Sequence, residues 1–184
     1  MNIIKTPLPG LLMIEPRVFE DERGYFFESY QQERYFQHEI KTVFIQDNES
    51  KSSRGVVRGL HYQLAPFDQA KLVRVVEGKV FDVAVDLRKG SPSFGKWFGA
   101  ELDSTNKRQL FIPRGFAHGF PVLSETAVFA YKCDNGYNKE SERAININDP
   151  SLSIDWQLPE KEQIVSEKDR LAPFFDLAEM NFNF

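Results

Sequence analysis

The chain carries only three histidines, and two of them stand where a proton could be moved. The first lies in Arg54-Gly55-Val56-Val57-Arg58-Gly59-Leu60-His61-Tyr62-Gln63, which reads as a strand interrupted by a glycine. Arg58 and His61 fall on opposite sides of a regular strand, and a bulge at Gly59 would bring both onto one face. Histidine titrates near pH 6.5, so it can take a proton and release it at working pH. Read alone, Arg58 is equally a surface charge and His61 a packed, satisfied ring. The second segment is Phe111-Ile112-Pro113-Arg114-Gly115-Phe116-Ala117-His118-Gly119-Phe120, a strand followed by Pro-x-Gly-x-x-His. In Phe129-Ala130-Tyr131-Lys132, Tyr131 shares a strand face with Phe129. A tyrosine there packs its ring and keeps a polar tip, and with a pKa of about 10 the phenol can donate a proton. Asp169 sits in the charged run Ser166-Glu167-Lys168-Asp169-Arg170, ordinarily a solvated turn. Asp21-Glu22-Arg23-Gly24-Tyr25-Phe26-Phe27-Glu28 reads as a charged turn entering an aromatic edge strand.

Strands must position these groups. Most apolar segments are short, β-branched or aromatic, and bounded by Gly, Pro, Asn or Asp. Lys71 to Asp86 reads as two strands flanking Glu77-Gly78, with Asp82 on the face of Asp86, from which it could position Lys71. Further strands are expected at 10–15, 24–29, 42–47, 56–62, 96–102, 108–112, 126–132 and 143–147. Ser29 with Gln32 resembles a capping box opening a short helix to about His38, and a second short helix or turn falls near Ser166–Leu171. Many short strands at this spacing imply an all-β barrel or two-sheet sandwich of the jelly-roll kind. At 184 residues, without repeats or linkers, residues 1–184 are expected to form one domain that buries about 70% of its unfolded surface. A single cysteine, Cys133, excludes an internal disulfide framework. The net charge of −4 argues against a general nucleic-acid binder. No apolar run approaches the roughly 18 residues of a membrane span. The stretch Met1 to Pro7 lacks the apolar core of a signal peptide, so a cytoplasmic location is expected.

Pro113-x-Gly115-x-x-His118 after a strand resembles the second motif of the cupin superfamily. In metal cupins that histidine joins a His-x-His pair and a glutamate. Here the corresponding place reads His61-Tyr62-Gln63, and Lys71 stands where a carboxylate would help. An ammonium repels a divalent cation, so no metal is expected.

Taken in order, Asp21-Glu22-Arg23-Gly24, Gln46-Asp47-Asn48, Arg58-Gly59-Leu60-His61 and Pro66-x-x-Gln69-x-Lys71 are followed by Asp82-Val83-Ala84-Val85-Asp86. After them come Pro113-x-Gly115-Phe116-Ala117-His118-Gly119-Phe120, Tyr131-Lys132 and Ser166-x-Lys168-Asp169. With this series the chain resembles the dTDP-4-dehydrorhamnose 3,5-epimerase family of the cupin superfamily over essentially its full length. The resemblance implies a cupin-type jelly-roll barrel of two antiparallel sheets with a few short helices. It implies inversion of C3 and C5 of dTDP-4-keto-6-deoxy-D-glucose to give dTDP-4-keto-L-rhamnose, with no metal or organic cofactor. It also implies a homodimer whose N-terminal strands cross to the partner, and a place in dTDP-rhamnose synthesis for surface polysaccharides such as lipopolysaccharide O-antigen. By match, His61 is the base, Asp169 its orienting carboxylate and Tyr131 the acid on the opposite face of the sugar. Lys71 falls near the C4 keto oxygen, and Arg58 and His118 at sugar or diphosphate contacts. Arg23, Glu28, Gln46 and Asn48 match nucleotide contacts, Tyr137 the base-stacking tyrosine, and Glu142 and Lys168 further substrate contacts. Ala70 replaces a frequent glycine and Gly136-Tyr137 a frequent Tyr-Tyr pair. A single-site epimerase, a non-catalytic sugar-nucleotide binder and a metal-dependent cupin oxygenase are the competing readings.

Overall fold

The computed structural model describes residues 1–184. In chain order the elements are β1 (Asn2–Lys5), β2 (Leu12–Glu15), β3 (Val18–Asp21), β4 (Gly24–Phe27), α1 (Gln32–Gln37), β5 (Gln46–Ser53), β6 (Val56–Gln63) and β7 (Lys71–Glu77). They continue with β8 (Lys79–Asp86), β9 (Trp97–Asp103), β10 (Gln109–Ile112), β11 (Phe116–Pro121), β12 (Thr126–Cys133), β13 (Glu142–Ala144), β14 (Ile164–Val165) and α2 (Glu167–Arg170). One sheet has the order β1-β2-β10-β7-β12-β5 and the other β13-β6-β11-β8-β9, with β14 added to β6. Apart from that last parallel pair and an isolated parallel bridge between Lys89 and Asn183, all pairings are antiparallel. The jelly-roll expectation holds.

Alternation along the strands sorts side chains into three layers. Val73, Val75, Leu110 and Phe129 of the first sheet meet Val80, Ala84, Phe116 and Phe120 of the second inside the barrel. Outside the second sheet, Val83, Val85 and Ala117 are covered by Ile145, Leu152, Trp156 and Phe182 of the C-terminal segment. Outside the first, Ile14, Leu72 and Phe111 are covered by Tyr35 and Ile40, from and just after α1. The 17 phenylalanines of the chain thus serve both the barrel interior and the layers outside the sheets.

Several boundaries differ from the sequence expectation. Residues 42–45 are not a strand; β5 starts at Gln46 and runs to Ser53, because its polar outward residues hid an alternation whose inward face lines the barrel. The segment at 24–29 ends at Phe27 and pairs only with β3, in a hairpin belonging to neither sheet. The strand expected at 143–147 is Glu142–Ala144. β11, not among the strands expected, forms across Gly119 and Pro121; all six of its residues are buried. α1 is capped by Gln31, whose side chain accepts from the Arg34 amide at 2.6 Å. Ser29 does not cap it; the Ser29 carbonyl accepts from Gln109 Nε2 instead.

The bulge expected at Gly59 is present. His118 pairs with His61 and Phe120 with Arg58, so β6 holds one more residue between these pairs than β11 does. Arg58 and His61 accordingly share the inner face. Gly59 has φ +124°, and a Cβ there would meet Gly119 Cα at 2.5 Å and His118 O at 2.8 Å. Gly119 reciprocates, since its Cβ would lie 2.6 Å from Arg58 O. Gly59→Ala is therefore expected to lower stability by more than about 2 kcal/mol in urea unfolding. Gly136→Ala, with nothing within 4 Å of its Cβ, should stay within about 0.5 kcal/mol.

Candidate active site

Inside the barrel, β6, β7, β11 and β12 converge on a cavity of about 140 Å³, lined by Arg58, His61, Lys71, His118, Tyr131 and Ser50 among others. Arg58 and His61 arrive together because of the bulge. Lys71 and Tyr131 come from adjacent strands of the facing sheet, where Val73 pairs with Tyr131 and Lys71 with Cys133. The Lys71 ammonium lies 5.9 Å from the Tyr131 ring centre.

Asp169 reaches this place from the far end of the chain. Ser166 Oγ accepts from the Asp169 amide at 3.1 Å and caps α2, while Asn146 donates to Arg170 O at 2.8 Å and ties the turn down. The Asp169 carboxylate is 4% exposed, and its Oδ1 lies 2.6 Å from His61 Nε2. Burial pushes this carboxyl up, but the hydrogen bond and charge of His61 prevail. With the Ser166 hydroxyl and Lys168 they hold it below the usual carboxylate range. His61 Nδ1 has no protein partner and is not occluded. An imidazole backed by an ionised carboxylate and open on its other nitrogen can act as a general base.

The neighbouring groups suit the opposite roles. Burial raises the Tyr131 phenol above its usual value and nearby Cys133 adds to this, with Arg58 opposing, so the hydroxyl stays protonated as a donor. Burial lowers the Lys71 ammonium, against the pull of Cys133, Asp82 and Glu142. A partly desolvated cation beside an acid–base pair is suited to neutralise negative charge developing on a bound oxygen.

Other expected residues lie on neighbouring elements and are not part of the cavity lining. Glu142 pairs with Lys168 at 2.6 Å and accepts from the Tyr137 hydroxyl at 3.1 Å. Burial would raise Glu142, but Lys168, Tyr137 and His61 together hold it below the carboxylate range. Tyr137 is 61% exposed, with its ring free for a planar ligand. On β5, Gln46 donates to Asn48 at 3.0 Å, and Asn48, Ser50 and Ser52 follow along the same inner face. Arg58 Nε donates to Ser52 Oγ at 3.0 Å. Arg23 and Glu28 are not brought to this cavity. Arg23 bonds only Asp21, two residues away, and Glu28 pairs with Arg34 at 3.3 Å.

Two contributors escaped the sequence reading, and a third took another partner. Ser50 and Ser52 were visible only as a polar period of two continuing from Gln46 and Asn48. Asp82 was expected to position Lys71, but its hydrogen bonds go to His118 Nε2, at 2.9 and 3.1 Å, because that ring reaches it from the neighbouring strand.

The depressed Asp169 carboxyl contributes stability above its unfolded pKa of about 3.9, which is lost as pH falls through the lower folded value. Asp169→Asn should cost about 1–3 kcal/mol at pH 7. Urea unfolding of both proteins between pH 7 and pH 3 should show this difference narrowing below about pH 4.

Known proteins were compared with this chain. The family model described as dTDP-4-dehydrorhamnose 3,5-epimerase matches residues 5–176. A dTDP-4-dehydrorhamnose 3,5-epimerase of Shigella flexneri is 56% identical over 171 residues, covering 92% of this chain and 93% of that protein. The crystal structure of a dTDP-4-dehydrorhamnose 3,5-epimerase from Elizabethkingia anophelis superposes with a TM-score of 0.91 at 58% identity, covering 96% of this chain and 97% of that one. A dTDP-6-deoxy-D-glucose-3,5-epimerase from Legionella pneumophila, in complex with dTDP-4-keto-L-rhamnose, gives 0.92 at 53% identity, covering 96% and 93%.

Proposed function

The chain belongs to the dTDP-4-dehydrorhamnose 3,5-epimerase family, and from that premise we propose that it inverts C3 and C5 of dTDP-4-keto-6-deoxy-D-glucose, giving dTDP-4-keto-L-rhamnose. The observation that carries the chemistry is the 2.6 Å pair of His61 and Asp169, joined across 108 positions and facing the cavity that holds Tyr131 and Lys71.

A proton beside a ketone leaves only if a base is aimed at its carbon and the resulting enolate is stabilised. His61 Nδ1 takes that proton; the C–H electron pair becomes part of the C=C bond, and the carbonyl electrons pass to O4. Asp169 keeps the Nε2 proton oriented and supports the imidazolium as it forms. Lys71 places positive charge at O4, and removing such a preorganised donor typically costs about 3 kcal/mol in the barrier. Tyr131 returns a proton from the opposite face, inverting the carbon. The imidazolium then releases its proton to solvent and the phenolate takes one back, which restores both groups. The same cycle serves C3 and C5, since both flank C4.

The cavity of about 140 Å³ is smaller than the roughly 300–1,000 Å³ typical of complete ligand sites. It therefore accepts the sugar and leaves the nucleotide at the mouth, where Tyr137 offers a stacking face and Arg58 and Lys168 supply cations for a diphosphate. The β3–β4 hairpin carries Arg23 together with exposed Phe19, Tyr25 and Phe26. In a homodimer these residues, with Glu28, would meet the nucleotide held by the neighbouring subunit.

Product NMR in deuterated solvent tests this reading. The wild-type protein should yield the L-rhamno product with deuterium at both C3 and C5; inversion at one carbon would establish a single-site epimerase, and no exchange would establish a binding protein. Tyr131→Phe keeps the packed ring but should abolish C5 inversion while nucleotide affinity persists; wild-type yield would reassign the donor to water or another side chain. Lys71→Met should lower kcat about 10²-fold or more with much less change in dTDP affinity; a fall in affinity alone would make Lys71 a binding residue.

A further inference from the structure

His61 and His118 are direct partners in the β6–β11 register, which sets their Cβ atoms about 5 Å apart on one face. Each ring turns Nε2 toward a buried carboxylate, Asp169 for His61 and Asp82 for His118. The first pair is the base described above. The second lies deeper: Asp82 has 0% of its surface exposed and His118 7%. Both Asp82 oxygens approach the same Nε2, at 3.1 and 2.9 Å, and no other group hydrogen-bonds to them. A carboxylate taken wholly out of water is costly, and packing alone would favour an apolar residue beneath Phe120 and Phe129. Those two rings also fix the imidazole plane, with Phe129 stacked on His118 at 5.9 Å and 25°. The ring's other nitrogen, Nδ1, has no protein partner and is not occluded, and the ring lines the cavity.

Apart from the Ser50 hydroxyl, the cavity's side chains offer few acceptors. Arg58 and Lys71 can only donate hydrogen bonds, His61 Nδ1 is committed to the carbon acid, and Tyr131 to returning a proton. A keto sugar brings hydroxyl donors as well as a carbonyl acceptor. We propose that Asp82 is a positioning residue for substrate selection: it accepts the Nε2 proton of neutral His118 and so holds a lone pair on Nδ1, which accepts a hydrogen bond from a ring hydroxyl of the keto sugar. A site built this way rejects an analogue lacking that hydroxyl, because Nδ1 is then left unpaired. The substrate in this inference rests on the epimerase reading; the tautomer does not.

Imidazole ¹⁵N spectra of the full-length protein test the tautomer without turnover. Wild-type His118 should carry its proton on Nε2 and none on Nδ1, and Asp82→Leu should populate both tautomers. A proton on Nδ1 in the wild type would overturn the proposal, since Nδ1 would then have no lone pair to offer, whether Asp82 held the shared proton or faced an imidazolium. Kinetics with the native keto sugar and its 2-deoxy and 3-deoxy analogues test the consequence. Asp82→Leu should lower the preference for the native sugar over one of these analogues about tenfold or more, leaving dTDP affinity unchanged. Asp82→Asn, which still offers an oxygen to the Nε2 proton, should recover most of that preference and provides the folded comparison if the leucine variant does not accumulate. A fall in melting temperature with the preference intact in both variants would reduce Asp82 to a structural role. Absence of epimerisation by the wild type would remove the functional reading instead, while the spectrum would still decide the tautomer.

Discussion

Charge placed inside a β-barrel must be answered there, because water is not at hand to solvate it. This constraint governs the interior of the molecule. His61 and His118 stand side by side, and each is backed by its own carboxylate. Burial lowers the Lys71 ammonium, and Cys133, Asp82 and Glu142 oppose that shift. The polar inner face of β5 offers Ser52 to Arg58. The Asp82–His118 pair is shut away from solvent, while His61 and Arg58 keep part of their surface open to it. The bulge at Gly59 and the close approach of Gly119 are the backbone's share of the arrangement, since without the extra residue Arg58 would face away from His61.

The same burial that makes these charges costly separates their chemistry. A phenol pushed up remains an acid, and a carboxylate held down by its histidine remains an anion that supports a base. Two proton-handling groups on facing sheets of a barrel can address opposite sides of a flat intermediate, which one sheet alone could not do. Inversion of configuration asks for that geometry, and a sandwich with a narrow cavity between its layers supplies it.

In the proposed reaction the sugar enters the cavity and the nucleotide stays outside it. Tyr137, Glu142 and Lys168 come together from the loop and edge elements near β13 and α2, while the hairpin bearing Arg23 stands apart from both sheets with its aromatics exposed. Rigid strands hold the reacting groups, and the less regular segments reach toward the more variable parts of a ligand.

Much was legible in the sequence itself. Short alternating segments between turn residues required a β-sandwich, Gly59 in a strand marked the bulge, and the ordered motifs marked His61, Lys71, Tyr131 and Asp169. These signals are local, so they survive in one dimension. Alternation fixes which side a residue faces, but not which strand lies opposite. Only the tertiary structure paired His61 with His118, turned Asp82 to His118 and not to Lys71, and brought Ser52 to Arg58. It also decided that β5 begins at Gln46 and that β11 forms despite its glycine and proline, because burial from both sides outweighs weak local propensity. Strand register sums contacts over the whole barrel, and no stretch of sequence contains that sum.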